Sequence, residues 1–102
     1  GTVASVDDKG SIYLKGTATE SQSSLNPGIN SFIVQNSSGD TVSYISDSGS
    51  LFLLGTVEQS SSLTGGGTRL EFRNSSMGLV AFFDNQGNLK LKGSMNENYA
   101  SP

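Results

Sequence analysis

Residues 32–59 read FIVQNSSGDTVSYISDSGSLFLLGTVEQ and residues 70–97 read LEFRNSSMGLVAFFDNQGNLKLKGSMNE, and the two superpose without a gap at a spacing of 38. A shorter copy, TVASVDDKGSIYLKGTATE over residues 2–20, aligns with the middle one at a spacing of 39. Recurrence of this length marks a chain of like units, each leaning on its neighbours to bury a shared apolar face. The expected divisions are a partial first repeat with its connector at 1–31, a second with its connector at 32–69, and a third with a tail at 70–102. Together they make one structural domain.

Each copy holds two strands around a four-residue turn: Asp7-Asp8-Lys9-Gly10, Ser46-Asp47-Ser48-Gly49 and Asp84-Asn85-Gln86-Gly87. An Asx or Ser residue first and glycine last is the pattern of a type I turn closed by a left-handed residue. Gly10, Gly49 and Gly87 are therefore the turn glycines. The strand after each turn alternates, with Ile12 and Leu14, Leu51 and Leu53, and Leu89 and Leu91 on one face. In the middle copy it reads as one strand over residues 50–59. Gly16, Gly55 and Gly93 share the parity of those apolar rows, where glycine marks a bulge or a close backbone approach.

The opposite face carries Tyr13 and Lys15, then Phe52 and Leu54, then Lys90 and Lys92. Phe52 and Leu54 replace one lysine pair, so another layer or another subunit is expected to cover them. They are the first interface candidates, with Val3 and Tyr99. A further strand opens the two longer copies at residues 32–35 and 70–73, giving a three-stranded antiparallel meander of 28 residues. The first copy starts at its second strand, with Gly1 aligned to Asp40. An unpaired edge there invites a strand from another chain, for example a neighbour's residues 96–102. No stretch has a 3.6-residue apolar period, so no helix is expected. The fold class read from this pattern is all-β, packed as a sandwich-like, barrel-like or fibrous array.

Composition narrows the chemistry. With 33% hydrophobic and 15% charged residues, the bulk is neutral Ser, Gly, Thr and Asn, which suits thin sheets. A net charge of −3 is too small for the disorder signature. There is no cysteine and no histidine, which removes disulfides, thiolate metal sites and the usual imidazole base. Six scattered Lys and Arg make no basic patch for nucleic acid. The longest apolar run, residues 51–54, is far short of a membrane span. Nothing at Gly1 reads as a secretory leader, which fits a cytosolic chain, a processed one or a piece of a longer one.

Asp7, Asp8, Asp40, Asp47 and Asp84 supply at most two carboxylates per loop, too few for calcium, and read as turn formers. A nucleophilic serine lacks its base, so no enzyme and no cofactor are expected. Asn36-Ser37-Ser38 and Asn74-Ser75-Ser76 match the N-glycosylation pattern at equivalent turns, making Asn36 and Asn74 glycan candidates.

The string NSSGDTVSYISDSGSLFLLGTV, with its echo NSSMGLVAFFDNQGNLKLKGSM, resembles β-repeats of archaeal and bacterial cell-surface proteins and of phage tail fibres. The resemblance implies an extracellular or cell-surface structural protein, usually multimeric, with no catalytic residues. The expectation is a subunit of an extracellular filament or surface appendage, self-assembling with copies of itself through strand edges and apolar faces. The alternative is an adhesin or tail-fibre segment that binds a glycan or receptor. Met77-Gly78 in place of Gly39-Asp40 shifts one turn glycine and leaves the geometry of that third turn open.

Overall fold

The structure, a computed structural model, describes residues 2–102; Gly1 lies outside them. It is all-β, with eleven strands in three small sheets and no helix among the described residues. Three hairpins organise it: β1 (Ala4–Val6) with β2 (Ile12–Leu14), β5 (Thr41–Ile45) with β6 (Leu51–Leu53), and β9 (Leu79–Asp84) with β10 (Leu89–Leu91). Their registers coincide: Ala4 faces Leu14, Ser43 faces Leu53 and Ala81 faces Leu91. Two hairpins carry a further antiparallel strand, β4 (Phe32–Gln35) on β5 and β8 (Thr68–Arg73) on β9.

The strand expected over residues 50–59 does not run through. It breaks at Gly55, and the chain crosses to another sheet to form β7 (Val57–Gln59). Gly16 and Gly93 stand at the same break before β3 (Ala18–Thr19) and β11 (Met95–Asn96). Each short strand pairs in parallel with the next hairpin: β3 with β6, β7 with β10, and β11 with β2. The sheet orders are therefore β1-β2-β11, β3-β6-β5-β4 and β7-β10-β9-β8. The meander expected from the sequence thus gains a parallel strand from elsewhere, and the exchange closes on itself because β11 returns to the first hairpin. The result is a flat body of 34 × 34 × 19 Å.

Glycine permits this exchange by contact. A Cβ on Gly16, Gly55 or Gly93 would lie 2.1 Å from Ser50 Oγ, 2.0 Å from Asn88 Oδ1 or 2.2 Å from Ser11 Oγ. Those oxygens instead accept N–H groups of the crossing chain, Thr17 to Ser50 Oγ, Thr56 to Asn88 Oδ1 and Ser94 to Ser11 Oγ. Two carboxylates strengthen the crossings: Glu97 accepts the Ala18 N–H at 2.7 Å and Glu20 accepts the Val57 N–H at 2.5 Å.

Leu14, Leu51, Leu53, Leu89 and Leu91 are fully buried where the three sheets meet, joined by Ile12, Val34, Val42, Ala81 and Phe83. Ser43 occupies the position of Ala4 and Ala81, is 0% exposed, and its Oγ has no hydrogen-bond partner among the described residues. A buried hydroxyl without a partner costs its desolvation. Ser43→Ala is expected to raise stability by about 1 kcal/mol, since alanine already fits the two matching positions. Urea unfolding of the two chains, compared at equal slope, checks it.

Candidate functional site

The three sheets differ in one respect. The second and third end in β4 and β8, whereas the first ends in β1, whose outer edge has no strand among the described residues. In antiparallel pairing, alternate residues point their backbone groups to opposite sides. The Val3 carbonyl accepts the Lys15 N–H at 2.9 Å and the Asp7 N–H donates to the Ser11 carbonyl at 3.0 Å, so Val3, Ser5 and Asp7 turn towards β2. The N–H and C=O groups of Ala4 and Val6 therefore face outward.

Along this edge lies a cavity of about 310 Å³ whose walls include Ala4, Val6, Phe32, Ile45, Phe72 and Phe83. Phe32 begins β4 and Phe72 lies in β8, so the trough runs between the outer strands of the other two sheets, with β1 as one wall. Its far end is polar: Asp7, Asp8, Glu71 and Arg73 line a second hollow that shares Val6 and Phe72 with the first. There the Arg73 guanidinium meets Glu71 at 2.8 Å and holds its carboxyl below the ordinary value. The Ser11 N–H donated to Asp7 likewise holds that carboxyl low, with Lys9 N–H and the Tyr13 hydroxyl as further donors.

The residues singled out from the sequence fall in separate places. Val3 is half-buried and lies next to the open edge, beside a hollow bounded by Thr2, Ala4, Asn30 and Phe32. Phe52 stacks on Tyr44, ring centroids 4.9 Å apart, on the outer face of the second sheet. Leu54 is partly buried, packed on the core and beside the Gly87 turn of the same chain. Tyr99 is 45% exposed and lies on Tyr13 at 4.8 Å, with its N–H donated to the Leu14 carbonyl. Residues 95–99 thus pair with β2 of the same chain, on the side opposite the open edge.

Asn36 and Asn74 each open a turn. Asn36 Oδ1 accepts the N–H groups of Ser38 and Asp40, and Asn74 Oδ1 those of Ser76 and Gly78. The bonds match although Met77 stands where Gly39 does, because Met77 itself takes φ 68° beside 84° at Gly39. Among the described residues no cluster of three or more His, Cys, Asp or Glu is placed to hold a metal ion. The outward backbone of β1 was legible in the sequence as an unpaired edge, but the trough beside it was not. Its walls come from residues far apart in the chain.

No family model, curated protein or solved structure matches this chain.

Proposed function

We propose that this chain is a structural building block of an extracellular filament or cell-surface appendage, built of tandem 38-residue β-repeats and joined to other copies through the outer edge of β1. The observation that carries this reading is the pairing of that edge with an apolar trough. Unsatisfied strand edges recruit strands, and buried apolar area supplies the driving force. The chemistry in this assembly is mechanical, made of main-chain hydrogen bonds and buried aliphatic rows. The resemblance to cell-surface and tail-fibre repeats points the same way.

Light scattering after size exclusion, over a range of concentrations, tests it. The mass is expected to grow with concentration for the parent chain. Val6→Lys, which puts a charge on the edge as natural edge strands do, is expected to hold the chain at monomer mass. A parent chain that stays monomeric throughout would remove self-assembly as its role.

A further inference from the structure

We infer that Asn36 and Asn74 are acceptors for N-linked glycans, joined through Nδ2 in the turns that follow β4 and β8. The inference goes beyond assembly and shares with that reading only an extracellular location.

Both turns are held by the other atom of the amide. Asn36 Oδ1 accepts the N–H groups two and four residues on at 2.9 and 3.0 Å, and Asn74 Oδ1 accepts its two at 3.0 and 2.9 Å. The hairpin turns make the same pair of bonds with a carboxylate: Asp7 Oδ1 accepts from Lys9 and Ser11, and Asp84 Oδ1 from Gln86 and Asn88. An aspartate would therefore close residues 36–40 and 74–78 as well as asparagine does. What sets asparagine apart is Nδ2, and in both turns that atom makes no hydrogen bond among the described residues. Asn88 and Asn96, by contrast, donate theirs to Asp84 Oδ2 at 3.1 Å and to the Ile12 carbonyl at 3.2 Å.

The serine two residues on is spare in the same way. The turn uses only the backbone N–H of Ser38 and Ser76; both side chains are exposed, and neither hydroxyl has a hydrogen-bond partner among the described residues. Lys9 and Gln86 fill that place in the aspartate turns, so the backbone geometry asks for no particular side chain there. The amide nitrogen and the hydroxyl two residues later are the two groups an N-glycan acceptor requires, and they are the two the fold leaves idle. Neither asparagine belongs to the apolar core, so a bulky solvated group at these turns displaces no packing.

The donor is a lipid-diphosphate-linked oligosaccharide, and a membrane oligosaccharyltransferase carries out the transfer. Nδ2 bonds to the anomeric carbon as the bond from that carbon to the phosphate oxygen breaks. The lipid diphosphate leaves with the electron pair, and Nδ2 gives up one proton to a base of the transferase.

The test directs the intact chain into the secretory pathway of cultured eukaryotic cells and reads its intact mass, secreted and retained fractions together. Glycan is expected at Asn36 and Asn74, and peptide-N-glycosidase should release it and leave aspartate at both positions. Ser38→Ala and Ser76→Ala should each abolish the glycan at their own site, since the Oδ1 bonds they leave behind are to backbone. Made in bacteria without glycan, both variants are expected to melt within a few degrees of the parent. An unmodified mass, glycan that survives the serine changes, or a large loss of stability in the bacterial variants would overturn the inference. Light scattering keeps the two readings apart. A glycosylated chain that stays monomeric upholds this inference and sinks assembly, and an unmodified chain that self-associates does the reverse.

Discussion

Gly87→Ala is expected to destabilise the protein by about 3 kcal/mol or more, against about 1–2 kcal/mol for Gly39→Ala. Both glycines are left-handed, with φ 81° and 84°, so the conformational penalty of a Cβ is the same. Their surroundings are not. Around Gly39 nothing lies within 4 Å of an added Cβ, but at Gly87 that atom would fall 2.3 Å from the Val42 carbonyl oxygen in another sheet. The clash is with backbone that also accepts the Leu54 N–H at 3.0 Å, so it cannot swing aside as a side chain would. Gly10 on Val80 and Gly49 on Val3 repeat the contact at 2.1 and 2.5 Å. Paired urea titrations of the two variants give the difference directly, and equal losses would show that conformation alone selects glycine at these turns.

The second large effect is expected from ending the chain after Gly93. That removes β11 and the parallel pairing of Met95 with Ile12. It also removes the Ser94 carbonyl that accepts the Ile12 N–H and the Tyr99 N–H donated to Leu14, both at 2.8 Å. Ile12 and Leu14, now 3% and 0% exposed, would open to water on one side. The loss is expected to approach the whole stability of a small domain, on the order of 5 kcal/mol or more. Circular dichroism and amide exchange should report an unfolded or molten first sheet. Removing residues 100–102 alone, beyond the last pairing at Tyr99, is expected to leave the melting temperature within a few degrees. A cooperative, native-like melt for the chain ending at Gly93 would mean that the parallel exchange contributes little.

How far the sequence could be read follows from the range of each interaction. The hairpins, their glycine-closed turns and the buried rows at Leu51, Leu53, Leu89 and Leu91 depend on neighbours a few residues apart, and period-two alternation displays them. The crossing strands do not show themselves in this way. Ala18–Thr19 and Met95–Asn96 are two residues long, too short to carry a period, and their partners lie far along the chain. Glu20 and Glu97 look like solvated surface charges until the structure sets their carboxylates on backbone N–H groups of another strand. Leu54 invited a cover, another layer or another subunit, because two lysines replace it in the other copies, and the Gly87 turn of the same chain lies against it. Turn chemistry was readable where glycine closes the hairpin but not at Met77, whose turn the sequence left open; there Asn74 sets the same bond pattern and the exposed methionine accepts the left-handed angle. Of the trough, only β1 was visible beforehand, since Phe32 and Phe72 reach it through tertiary packing.

Because Met95 and Tyr99 complete a sheet begun at Ala4, the β1–β2 hairpin stays unfinished until the stretch about 83 residues further along the chain has been made. Local pairs form quickly, but the closing one spans almost the full sequence and carries a correspondingly large search cost. During that interval the β2 side of the hairpin lacks the strand that will cover it, and it is then that mispairing with another nascent chain has its best opportunity.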